Sequence, residues 1–324
     1  MKTTVIGAFP KISDDPTGQE LRRALHRHDR KEVDDEALDV AFDATTRAAI
    51  AEMEHAGIDV INDGQIRWDD LCAAFARAWG GLSRGPLERF YDNNTYYRQP
   101  VIEKAITTHG RTLVGDYKAA RAMTKKPLKG AVCGPLTFAT LTAEDRAYKT
   151  LDERTLAIAD ATASEIRGLG AAGATLVDVE EPALVARPDL VPLARRAYER
   201  LAAAGVPLAL QAYFFSADRI LDELASFPVA QVGIDLRSRD SKALDRIEAL
   251  KGKTVVLGVV DARNTRLESA SDVARDIERA LRALGPEHVW VAPTTGLEYL
   301  PHDIASRKLA VLVEGARAAA GVPA

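Results

Sequence analysis

With 324 residues, 47% hydrophobic and 28% charged, the chain can bury a large core and is too ordinary in composition for a disordered or fibrous protein. A formal net charge of −4 leaves no electrostatic footprint for nucleic acid or for an anionic membrane, so small-molecule partners are expected and neither of those is. No window reaches the roughly 18 apolar residues of a membrane span, the apolar start is too short for a signal peptide, and Cys72 and Cys133 alone suit neither a disulfide framework nor a Cys-rich metal site; a reducing, cytoplasmic setting is expected.

Along the chain, eight short apolar runs end in polar or Gly/Pro residues: 3–9, 57–63, 129–134, 174–180, 207–213, 231–236, 254–261 and 288–293. Amphipathic helical patterns lie between and after them at 35–56, 152–172, 188–204, 217–226, 241–251, 271–284 and 301–320. Such alternation implies parallel pairing with right-handed crossovers, and eight units close a barrel. The fold class is therefore α/β, a (β/α)8 TIM barrel forming a single domain over 1–324. A doubly wound open sheet alternates in the same way, but it more often carries a glycine-rich phosphate turn after its first strand, and Gly7-Ala8-Phe9-Pro10 is no such turn.

Two stretches interrupt the alternation. Residues 11–34 form a basic N-terminal excursion, and residues 80–127 a long insertion after the second strand, with the aromatic run Phe90-Tyr-Asp-Asn-Asn-Thr-Tyr-Tyr97. Segments 101–107 and 112–115 read as a hairpin about His109-Gly110. Loops this long in a compact fold are usually lids or binding elements.

Barrel enzymes build their sites at the C-terminal strand ends. There the sequence places Lys11, Asp63, Gln65, Arg67, Cys133, Glu180, Glu181, Gln211, Tyr213, Asp235, Arg237, Asp261, Arg263, Thr294 and Thr295. Singly, each could be a solvated loop residue or a strand-capping ion pair; as a ring they favour a pocket for a polar ligand. Glu180 and Glu181 are adjacent, so at most one faces the axis. Asp235/Arg237 and Asp261/Arg263 read equally as structural ion pairs or ligand contacts. Arg67, Arg237 and Arg263 together would suit a carboxylate or phosphate. Cys133 reads first as a small buried core residue, and the six His residues give no close pair except His26 and His28.

Several of these segments carry a family resemblance. Thr4-Val-Ile-Gly-Ala-Phe-Pro10, Val60-Ile-Asn-Asp-Gly-Gln-Ile-Arg-Trp-Asp-Asp70, Gly134-Pro-Leu-Thr137, Val177-Asp-Val-Glu-Glu-Pro-Ala-Leu184, Gly258-Val-Val-Asp261 and Pro293-Thr-Thr-Gly-Leu297 stand in order along almost the whole chain. Together they resemble the C-terminal catalytic barrel of the cobalamin-independent methionine synthases, and more closely the short single-barrel proteins related to it. The resemblance implies transfer of a methyl group from a folate to homocysteine held as a zinc thiolate, with zinc bound through His-x-Cys at the fifth strand end, Glu at the sixth and Cys at the eighth. Here the matching positions hold Gln211, Tyr213, Asp235 and Thr295. Lacking the soft donors that select zinc, the chain is expected to bind no zinc and to have no metal ligands.

The resemblance places Gly7, Ala8, Lys11, Asp63, Gln65, Arg67, Gln211, Arg237, Asp261, Arg263 and Thr295 in substrate binding. In the family, the positions of Gln65 and Glu180 contact the amino end of homocysteine. A Trp that stacks on the pterin is Leu141 here, and the catalytic His is Arg263. The expected activity is therefore methyl transfer to homocysteine or a related small acceptor, with Tyr213, Asp235 or Glu180 as the base. A folate or a methylcorrinoid would be the donor, the latter presented by a corrinoid protein partner. Alternatives on the same scaffold are a lyase or decarboxylase acting on an acidic small molecule, or a non-catalytic metabolite-binding paralogue.

Overall fold

The computed structural model describes residues 1–14, 16–91 and 93–321. Its strands are β1 (Lys2–Thr3), β2 (Gly80–Arg89), β3 (Tyr96–Thr107), β4 (Gly130–Cys133), β5 (Glu144–Asp145), β6 (Val177–Glu180), β7 (Leu208–Ala212), β8 (Gln231–Asp235), β9 (Thr254–Val260) and β10 (Val289–Pro293). Its helices are α1 (Pro16–Asp29), α2 (Asp35–Ala56), α3 (Ala73–Ala78), α4 (Val114–Met123), α5 (Pro135–Leu141), α6 (Leu151–Ala171), α7 (Pro182–Ala186), α8 (Val191–Ala202), α9 (Leu221–Leu224), α10 (Ala270–Leu284) and α11 (His302–Ala319).

Seven of the strands form one curled parallel sheet in the order β1-β10-β9-β8-β7-β6-β4. β6, β7 and β8 are buried along their whole length, which explains their near-continuous apolar character. The expected eight-strand ladder is not what forms. Residues 57–63 contribute only the isolated bridges Thr4↔Val60 and Ile61↔Leu128. Val60 N donates to Thr3 O at 3.1 Å and Lys129 N to Ile61 O at 3.0 Å, so this run still bonds to the chain at both outer strands of the sheet.

Turn chemistry cuts both early strands short. Asn62 Nδ2 donates to Gly7 O at 2.8 Å, and its Oδ1 accepts from Gly64 N at 2.9 Å. Gly7, Gly64 and Gln65 all have left-handed backbones, with φ of 63°, 69° and 48°. The chain therefore leaves the ladder sooner than an apolar pattern can reveal.

Helix α2 follows its expected bounds because its signals are local. Asp34 Oδ1 accepts from Ala37 N at 3.0 Å at the start, and Gly57 ends the helix at φ 88°. Over 241–251 the turns are 3-10 and broken at Arg246, and over 217–226 only Leu221–Leu224 is helical. In the 80–127 insertion the hairpin is β2 with β3, antiparallel, so its tip is the aromatic segment and not His109-Gly110. Residues 114–123 are helix α4 instead. Asp92, within the aromatic run, lies outside the described residues.

Candidate active site

β6 ends at Glu180, and Tyr213 directly follows the last residue of its neighbour β7. Glu180 is buried. Its Oε2 accepts from the Tyr213 hydroxyl at 2.8 Å, and its Oε1 accepts from Gln65 Nε2. Burial pushes the Glu180 carboxyl up to about 7 against the opposing pull of these two donors. Tyr213 is itself pushed well above the usual phenol range, first by burial and then by the Glu180 charge, so it serves as a donor and not as a base. Gln65 is aimed by its own turn, in which Asp63 Oδ1 accepts from Gln65 N at 2.9 Å.

This trio lines one side of a small, open-mouthed cavity. Gly7 lets the chain pass close to it: a Cβ there would lie 3.0 Å from the Gly296 backbone and 3.2 Å from Glu180 Oε2. The remaining wall comes from Trp68, Asp70, Phe90, Tyr97, Glu298 and Tyr299, among others. Glu298 is exposed and lines both this cavity and a neighbouring outer vestibule. Over the cavity, the tip of the β2–β3 hairpin docks through aromatic edges: Phe90 and Tyr91 each lie 5.7 Å from the Phe214 ring, and Phe214 lies 5.9 Å from Tyr299. Phe214 has φ 79°, a strained backbone for an aromatic residue, immediately after Tyr213.

Of the expected site residues, the structure brings Gly7, Ala8, Gln65, Glu180, Tyr213 and Thr295 together in this cavity. Glu181 points elsewhere, as adjacent positions on a strand must. Its carboxylate accepts from the Thr137 amide and hydroxyl, each at 2.5 Å, in space that Gly134 leaves open, and burial lifts it to about 7.

The others are placed apart. Gln211 donates to Asp178 Oδ1 at 3.0 Å, and Asp178 pairs with Lys129 at 2.6 Å, forming a buried polar layer within the sheet's interior. Gly233 makes room for the Gln211 amide, since a Cβ there would collide with it. Lys11 donates to Trp68 O and lines a separate cleft with Phe9 and His302. Asp63 faces a different recess beside Asp116. Asp235 Oδ1 accepts from the Arg237 and Ser238 amides, both at 2.8 Å, capping its own turn, while burial lifts its carboxyl to about 6.

The three arginines do not converge. Arg67 is held by Asp39 at 2.5 Å, Asp43 at 2.7 Å and Asp116 at 3.5 Å. Arg237 pairs with Asp276 at 2.9 Å, and Arg263 donates to Phe214 O at 3.2 Å in an outer vestibule that Asp261 also lines. Asp261 Oδ1 accepts from Arg263 N at 2.9 Å, a turn contact. An oxyanion grip by these three guanidiniums is thus not what the fold assembles. Cys133 is buried against Cys72, and Thr294 Oγ1 accepts from Ala262 N at 3.1 Å.

Sequence reasoning missed Trp68, Asp70, Glu298 and Tyr299 as wall residues. Each sits within a few positions of a residue that was identified, Arg67 or Thr295. The available signal was that strand-end loops contribute several successive side chains, not one.

Residues 1–318 match the family described as cobalamin-independent synthase, catalytic domain, and the chain belongs to that family. It is similar to the methionine synthase of Sulfurisphaera tokodaii, 29% identical over 98% of this chain and 92% of the relative, and to that of Saccharolobus solfataricus, 28% identical over 98% and 94%. Among solved structures, a B12-independent methionine synthase from Shewanella sp. W3-18-1, in complex with selenomethionine, superposes with a TM-score of 0.85 at 19% identity, covering 99% of this chain and 98% of that one. At that identity the likeness speaks for the fold. A corrinoid donor and a corrinoid protein partner, raised as options from the sequence, find no support, because the family is cobalamin-independent. No helix among the described residues is long and apolar enough to cross a membrane.

At the four positions to which the resemblance assigns zinc, the donor set does not fit that metal. Tyr213 holds its proton and gives it to a hydrogen bond, the Gln211 amide belongs to Asp178, and Asp235 is occupied by two amides with Arg263 at 3.9 Å. Thr295 is a poor donor, and neither thiolate nor imidazole stands at any of the four.

Proposed function

We propose that this protein is a methyltransferase, acting on homocysteine or a related small acceptor that carries an amino group and a thiol, with a folate-type methyl donor and without the family's zinc. The reading treats the seven-stranded sheet and the run 57–63 as the eight staves of a barrel, with residues 80–127 as a lid over its mouth. The observation that carries it is the Glu180 carboxyl: buried at the cavity wall, bracketed by Gln65 and Tyr213, and lifted to about 7. A carboxyl near neutrality exchanges a proton at working pH, which a zinc-free acceptor requires.

In this scheme Glu180 takes the acceptor's proton while the sulfur attacks the methyl carbon. The carbon–nitrogen bond of the donor breaks, and the donor nitrogen keeps the electron pair and picks up a proton. Tyr213 and Gln65 hold the carboxylate in place, and neither takes the proton. Carboxylates of Glu298 and Asp70 in the cavity wall favour a cationic amino group on the acceptor.

Of the three candidate bases, Glu180 alone combines cavity access with a proton affinity in the working range. The lyase reading needed a convergent arginine ring, and the arginines are engaged separately. The test is methyl transfer from methyltetrahydrofolate to homocysteine by the full chain after dialysis against chelator. Turnover that falls at least about a hundredfold in Glu180→Gln supports the reading, in line with the usual worth of a general base. Absence of turnover with thiol acceptors, or full activity in Glu180→Gln, would overturn it.

A further inference from the structure

Outside the proton-handling trio, the two cysteines form a chemical unit. Cys72 and Cys133, sixty-one positions apart, are both free and buried, and their sulfurs lie 4.0 Å from each other. Cys133 ends β4 and sits in ladder register with Glu180. Cys72 directly follows Trp68, Asp69, Asp70 and Leu71 of the cavity wall, and Asp70 Oδ1 accepts from its amide at 2.9 Å. The thiol pair thus spans the joint between that wall and the strand beside Glu180.

We propose that Cys72 and Cys133 are a redox modification site, joined by hydroperoxide into an intramolecular disulfide that fixes the cavity wall to β4. The sulfurs already touch, and a bond length near 2.05 Å requires an approach of roughly 2 Å. In the first step one thiolate sulfur attacks a peroxide oxygen; the O–O bond breaks, hydroxide leaves and is protonated to water, and the sulfur becomes a sulfenic acid. In the second, the other thiol displaces that hydroxyl as water, and the S–S bond forms. Overall two thiols and one hydrogen peroxide give one disulfide and two waters.

Burial raises both thiols, so neither is a ready thiolate in the resting fold. Negative charge on Asp70 and Glu181 opposes ionisation of Cys72, and charge on Glu181 and Glu180 opposes that of Cys133.

The experiment treats the full chain with hydrogen peroxide and reads intact mass, free thiols after denaturation, and oligomeric state. The wild type is expected to lose two hydrogens, to lose both thiols, to remain at its untreated oligomeric state and to recover fully with dithiothreitol. Cys133→Ser, lacking the second thiol, is expected to gain oxygen at Cys72 under the same treatment. A wild type that gains oxygen, links between chains, or stays reduced at peroxide levels that oxidise the urea-unfolded chain overturns the proposal. Cys133→Ala serves as a second variant should Cys133→Ser unfold.

Discussion

The Tyr213 hydroxyl stands 2.8 Å from Glu180 Oε2, donating from the end of β7 to the end of β6. Of all the groups near Glu180 it is the strongest of those that hold the carboxylate's proton affinity down, while burial pushes that affinity up. Removing the hydroxyl therefore has a definite sign. Tyr213→Phe raises the Glu180 pKa by about one unit, the worth of one hydrogen bond to a charged group. The acid limb of the pH–kcat/KM profile moves up with it, so activity below neutrality falls several-fold while activity at high pH is largely kept. Carbon-13 NMR of the Glu180 carboxyl reads the same shift without turnover. An unmoved titration would remove Tyr213 from this role.

Buried Glu180 and Glu181 both rise from 4.5 to about 7, which links fold stability to pH. An acid whose folded pKa exceeds its unfolded value binds its proton more tightly in the folded state. That contribution is complete below the unfolded value of 4.5 and is lost as pH climbs through about 7. Each group is then worth on the order of 3 kcal/mol at about 1.4 kcal/mol per unit. Urea melts are expected to show stability declining from about pH 5 to pH 8, and Glu181→Gln, which cannot ionise, flattens the decline. A wild type whose stability rises across that window contradicts the assignment.

How far these features could be read from the sequence follows from the range of the interactions involved. Helix α2 was legible to its ends because Asp34 and Gly57 act within a few residues. Early strand ends were not, because Asn62 binds Gly7 O across fifty-five positions and stops both strands at once. The strand-end rule places Gln65, Glu180, Tyr213 and Thr295 at positions that line one cavity, because period and topology decide which ends meet. It could not tell that Gln211 turns to Asp178 or that Arg67 has three carboxylates of its own. Those choices depend on side-chain partners from distant elements, here Lys129, α2 and α4. The true hairpin was missed for a related reason: aromatic residues read as a loop until a second strand and the Phe214 ring give them something to pack on.

The Lys129–Asp178 pair, at 2.6 Å with both residues buried, makes a sharp test of the polar layer beneath the site. Lys129→Met strands a buried carboxylate that keeps the Gln211 amide as a neutral partner. The expected cost is about 3–5 kcal/mol in urea unfolding, because an uncompensated buried charge is left behind. Replacing both partners, as Lys129→Met with Asp178→Leu, should cost clearly less than the single change. Equal costs would mean that the layer acts by packing alone.

Chelation should leave the reaction untouched. The positions that carry zinc in the resembling family here hold Gln211, Tyr213, Asp235 and Thr295, and three of them are committed to Asp178, to Glu180, and to two backbone amides. Dialysis against a strong chelator is therefore expected to change kcat/KM by less than about twofold, a difference of under roughly 0.5 kcal/mol, and metal analysis of the purified chain should find zinc well below one per molecule. Introducing single soft donors should not rescue a site. Tyr213→Cys places a thiol beside Glu180 but leaves the Gln211 amide turned toward Asp178, and Thr295→Cys adds one ligand where four are needed. Only the combination with Gln211→His and Asp235→Glu would assemble the donor types, and the imidazole would then have to displace the Asp178 contact and clear the space above Gly233. Stoichiometric zinc in the unaltered chain, lost together with activity on chelation, would sink the zinc-free mechanism and return the catalytic role from Glu180 to a metal.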